Sequence, residues 1–78
     1  LVPLSELPVG ARCKVVAVEV REPERWRLLG LGLVPGTRVE VVRKSLCGDP
    51  IAYKIRGAVV ALRLETARLV LVVPEDFA

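Results

Sequence analysis

Few residues in this 78-residue sequence can do chemistry. It has two cysteines, Cys13 and Cys47, and no histidine. A thiol becomes a nucleophile when a base or a positive environment holds it as thiolate, and neither cysteine has such a base beside it in sequence. As ligands the two are 34 positions apart (13 to 47), with no Cys-x-x-Cys spacing and no histidine to complete a set. They read as two small buried hydrophobes in a reducing compartment, with a Cys13–Cys47 disulfide or a shared metal as the alternative. Gly30, Gly32 and Gly36 do not form a Gly-x-x-x-x-Gly-Lys-Ser/Thr phosphate loop, since no Lys follows them. The chain is therefore expected not to be an enzyme. It offers no catalytic residue, no cofactor-binding residue and no convincing metal-ligand set.

What remains is contact chemistry. Leu28, Leu29, Leu31, Leu33 and Val34 fall within seven residues. A short helix turns successive side chains to different sides, so these residues cannot all face inward. Those left outside, with Arg25, Arg27 and Arg38 near them, would form an apolar centre with a polar rim, the composition of a protein interface. The expected partner-binding residues are Arg27, Leu28, Leu31, Leu33 and Val34. Gly32, Pro35, Gly36 and Gly57 are expected to serve the backbone only.

The elements that must hold this patch are readable around it. Pro23 suits a first helical turn, and Glu22 and Glu24 put negative charge at the positive end of the helix dipole. Gly32 can adopt the left-handed conformation that ends a helix, with Leu33 packing back on Leu28 as in a Schellman cap. Val34-Pro35-Gly36-Thr37 has the order of a type II turn. Before the helix, Cys13 to Val20 reads as a strand whose both-parity apolar residues suggest cover on two sides. After it come strands from about Arg38 to Lys44, Ile51 to Ile55 and Ala58 to Leu62, the last two joined by an Arg56-Gly57 turn. Arg63 to Ala67 reads as one helical turn and Leu69 to Val73 as a closing strand, with residues 75–78 as a loose tail. Five short strands and one small helix predict a single all-β domain over 1–78, a strongly bent antiparallel sheet whose closure would hide its edges.

The totals exclude other classes. The charge is +3, with nine Arg, three Lys and nine acids, scattered along the chain. Three aromatic residues (Trp26, Tyr53 and Phe77) on three elements make neither a groove for polyproline peptides nor a stacking platform for single strands, so no nucleic acid is expected. No apolar run approaches the ~18 residues of a membrane span, so no direct membrane insertion is expected. The first residues lack the basic and apolar regions of a signal peptide, and a cytoplasmic location is expected. The 53% share of hydrophobic residues suggests a face covered by a partner or by a second copy.

The run Arg27-Leu28-Leu29-Gly30-Leu31-Gly32-Leu33-Val34-Pro35-Gly36-Thr37 resembles the signature of FeoA, the small protein that accompanies the FeoB ferrous iron transporter. Gly48-Asp49-Pro50-Ile51, Gly57, Ala61-Leu62-Arg63 and Ala67 agree in order and spacing, so the resemblance runs from about Leu4 to Val73. It implies an SH3-like small β-barrel of about five strands with the helix inserted between the first two. It also implies a non-enzymatic accessory of ferrous iron uptake that binds and regulates a FeoB-type transporter on its cytoplasmic side. Two rivals are the terminal domain of a metal-dependent repressor and a small basic nucleic-acid-binding barrel. The second would show binding that weakens steeply with salt.

Overall fold

The fold, taken from a computed structural model, is described here for residues 1–75. The chain opens with a two-residue strand, β1 (Val2–Pro3), and a 3-10 turn at Leu4–Glu6. Then come β2 (Arg12–Val18), α1 (Glu24–Gly30), β3 (Arg38–Lys44), β4 (Ile51–Ile55), β5 (Ala58–Leu62), α2 (Leu64–Ala67) and β6 (Val70–Pro74). All pairings are antiparallel, and the strands run β1-β6-β2-β3-β4-β5 across one bent sheet. The five strands expected from the sequence are present. The sixth, β1, pairs Val2 with Val72 and Pro3 with Leu71, and two residues are too few for any periodicity to reveal.

Two bulges account for the irregular alternation in the sequence. The register of β2 on β6 shifts between Val15 and Ala17, and that of β3 on β4 shifts between Val41 and Arg43. A bulge inserts one unpaired residue and resets which face the next side chain takes. Val15 and Val18 are therefore both buried, although three apart, while Val16 between them is 40% exposed. The apolar run in β2 reflects this bulge and not burial on both sides.

The concave face of the sheet carries the core. Ile51, Tyr53 and Ile55 of β4 point into it with Val15, Val41, Leu62 and Val72, and all are at most 1% exposed. Leu4 of the first turn and Leu28 and Leu33 of the helical connection close the core from outside the sheet, each 0% exposed. A fully buried leucine contributes about 1.5–3 kcal/mol relative to an exposed one. The Arg56-Gly57 turn has positive φ at both residues, 50° and 83°, as a type I′ hairpin turn requires.

Glu75, expected in a loose tail, is held to the sheet. The Glu75 N–H donates to the Arg12 carbonyl at 2.9 Å, and its carboxylate lies 3.5 Å from Arg38. Residues 76–78 of that expectation lie outside the described residues.

Candidate functional site: the capped helix end

Helix α1 has only seven residues, too few to be stable without tertiary contacts. Leu28 is the side chain that anchors it, and the cap holds its C-terminal end. The Leu33 N–H donates to the Leu28 carbonyl at 3.0 Å and the Gly32 N–H to the Leu29 carbonyl at 3.0 Å. This is the paired bond pattern of a Schellman motif, with Gly32 at φ +97°. Leu33 then packs into the same core cluster as Leu28.

The turn that follows is tied down twice. The Thr37 N–H donates to the Val34 carbonyl at 3.0 Å with Gly36 at φ +94°, which closes the Val34–Thr37 turn. Gly36 N–H donates to the Val15 carbonyl at 2.8 Å, and Val15 N–H donates to the Thr37 carbonyl at 2.9 Å, so β2 holds the turn in place. Inside, the buried Thr37 hydroxyl donates to the Gly32 carbonyl at 2.8 Å. The helix end is thus fixed relative to the sheet by its own backbone.

The structure divides the five expected contact residues. Leu28 and Leu33 are sealed in the core, and this corrects the expectation for both. The cap itself is the reason: it folds Leu33 back against Leu28, so that the two fill one space. Leu31 and Val34 are partly exposed and Arg27 is exposed. Leu31 also packs one side against the core cluster. Trp26, which the sequence reading did not include, is 64% exposed. Helical geometry offered the signal: two residues before Leu28, at about 100° per residue, Trp26 points away from the buried stripe.

One charge of the site is matched within the helix. Arg27 and Glu24, three residues apart, form an ion pair with a second contact, Arg27 Nε to Glu24 Oε2, at 3.2 Å. That hydrogen bond, helped by the nearby positive charge, holds the Glu24 carboxyl below its ordinary value. The cysteines do not meet. Cys13 is buried and Cys47 is exposed, and both are free thiols, which corrects the reading of two buried ones. Burial, with Glu75 nearby, pushes the Cys13 thiol up to about 11. Among the described residues no group of three or more His, Cys, Asp or Glu is placed to hold a metal ion. Among the same residues no helix is long and apolar enough to cross a membrane.

A small bent antiparallel sheet with one capped helix between its first long strands defines the class, an SH3-like domain. The FeoA domain family matches residues 2–74, and the chain belongs to that family. It is 41% identical over 64 residues to an Fe(2+) transport protein A/Fe(2+) transporter FeoB fusion protein of Porphyromonas gingivalis, covering 82% of this chain and 8% of the fusion protein's length. The solution structure of a FeoA protein from Chlorobium tepidum superposes with a TM-score of 0.86 at 37% identity, over 90% of this chain and 67% of that one. FeoA of Stenotrophomonas maltophilia, described as an SH3-domain protein and crystallised with zinc, gives 0.79 at 33% identity, over 88% and 86%. IdeR of T. acidophilum gives 0.80 at 17% identity, over 95% of this chain and 34% of that one, a likeness that shows the fold alone.

Proposed function

We propose that the chain is a non-enzymatic accessory of ferrous iron transport that docks on the cytoplasmic side of a FeoB-type transporter through the outer side of its capped helix. The observation that carries this reading is the division of the helix end. Leu28 and Leu33 anchor it, while Trp26 and Arg27 are exposed and Leu31 and Val34 are partly exposed. Tryptophan and arginine are the residue types enriched in interface hot spots, and here they stand on a helix whose end is rigidly capped. The fusion relative supports the choice of partner, because it carries a region like this chain and a FeoB transporter in one polypeptide. The bonded turn supports a pre-organised surface, which lowers the ordering cost of binding.

The test is capture of the transporter's cytosolic region by the immobilised chain, with and without guanine nucleotide. Wild-type chain should retain it, and the Leu31→Asp variant should not. Equal retention by both removes the proposal.

A further inference from the structure

Among the described residues strand β5 is a free edge. It pairs with β4 on one side and stands last in the sheet order on the other. The two-residue turn fixes which of its backbone groups point where. Ile55 and Ala58 flank the turn and exchange hydrogen bonds, as do Tyr53 with Val60 and Ile51 with Leu62. The N–H and C=O groups of Val59 and Ala61 therefore point away from β4. Edge strands usually carry charge or proline to prevent pairing, whereas Ala58-Val59-Val60-Ala61-Leu62 has neither. Val59 is 60% exposed.

The surroundings of this edge are cationic. On its solvent face, Lys54 lies directly opposite Val59, and Ala61 shares a row with Ala52 and Arg43. Arg56 precedes the strand and Arg63 follows it. None of these four is in an ion pair among the described residues. Glu40 lies in the row of Lys54, between it and Arg12, and pairs with Arg12. Asp49, which accepts the Leu64 N–H, and Glu65 of α2 lie beside Arg63 at the end of the strand. The row of Ala61, Ala52 and Arg43 holds no acid. Ala61 and Arg63 also line a groove of about 700 Å³ together with Glu65 of α2 and with Glu24 and Arg27 of α1. The groove itself is thus balanced in charge, and the cationic side of the edge is the sheet face that carries Lys54 and Arg43.

We infer that the β5 edge receives an extended acidic segment of another protein as a seventh strand, with its carboxylates at alternate positions over Lys54 and Arg43. Main-chain bonds to Val59 and Ala61 supply the pairing, and charge selects the partner. Charge also disfavours a second copy. Antiparallel self-pairing about Val60 would bring Arg56 of one copy beside Arg63 of the other at both ends. This surface borders the helix end, across the groove that Arg27 lines, but it does not rest on the transporter assignment.

The probe is a nine-residue peptide of alternating Glu and Thr, titrated into the chain while amide hydrogen exchange is followed. Saturating peptide should slow exchange at Val59 and Ala61 at least tenfold and leave the Val60 amide unchanged. The Lys-Thr peptide should have no effect. Val59→Pro removes an outward N–H and no ladder bond, a change edge strands tolerate, and should abolish binding. Arg43→Glu with Lys54→Glu should weaken it by roughly two- to fivefold per charge, even if the proline variant does not fold. Absence of slowing, equal effect of the lysine peptide, or unchanged binding by the variants would each overturn the inference. So would protection of the same amides by self-association without peptide.

Discussion

The side chain of Arg56, in the β4–β5 turn, lies across Gly32 at the end of α1. A Cβ placed on Gly32 would sit 2.7 Å from Arg56 Cδ and 2.9 Å from its Nε. Gly32 also has φ +97°. Two separate constraints, one of contact and one of backbone, therefore fall on one residue, and the helix end and the far hairpin meet there.

Gly32→Ala should destabilise the fold by about 1–2 kcal/mol from the left-handed backbone alone, plus the displacement of Arg56. For a domain of this size each kcal/mol lowers Tm by about 4–8 °C. Adding Arg56→Ala should recover only the contact part. Full recovery in the double variant, read by thermal denaturation, would show that the backbone conformation costs nothing here.

Leu33→Asp and Leu31→Asp should behave differently although two residues apart. The first puts a charge into a site that is 0% exposed. Removing such a leucine side chain already costs about 2–5 kcal/mol, so Leu33→Asp should be unfolded by circular dichroism. Leu31→Asp should keep its fold, with a Tm within a few degrees of wild type.

How much of this was legible in the sequence follows from what each residue type dictates. Pro35 and Gly36 specify their turn almost alone, and Gly32 with Leu33 specifies the cap, so the helix end was readable to the residue. Strands β3, β4 and β5 kept their expected bounds because Gly or Pro stands next to or between them. The cap pairs Leu33 with Leu28, as its residue types predict. That this pair lies inside while Leu31 and Val34 stay at the surface was not readable, because Leu29, Leu31 and Val34 around the pair are apolar too. Val16 misled for a related reason, since a bulge changes facing without changing composition. Strand β1 left no pattern at all.

Tyr53→Phe should leave stability unchanged or slightly raised. The Tyr53 hydroxyl is buried and has no hydrogen-bond partner among the described residues, and an unpaired buried polar group costs about 1–3 kcal/mol. A loss of more than about 1 kcal/mol in chemical denaturation would mean that the hydroxyl is bonded in solution.

Stability should fall as pH rises above 9. Cys13 has its folded value raised from 9.0 to about 11 by burial and Glu75, and burial raises Tyr53 as well. Above the ordinary value the unfolded chain releases a proton that the folded chain keeps, so unfolding gains up to about 1.4 kcal/mol per pH unit from each such group. The Cys13 contribution is complete below pH 9 and is lost towards pH 11, whereas the Tyr53 contribution begins to fall only above its ordinary value of 10.0. Cys13→Ala should reduce the slope of Tm against pH between 9 and 11, and an unchanged slope would assign the alkaline loss elsewhere.

Isothermal titration of a FeoB-type transporter's cytosolic region with this chain, beside Leu31→Asp and Trp26→Ala variants whose Tm values match wild type, tests the docking role directly. Saturable one-site binding by wild type, weakened at least tenfold by each variant, is the expected result. Wild-type affinity in both folded variants would contradict it.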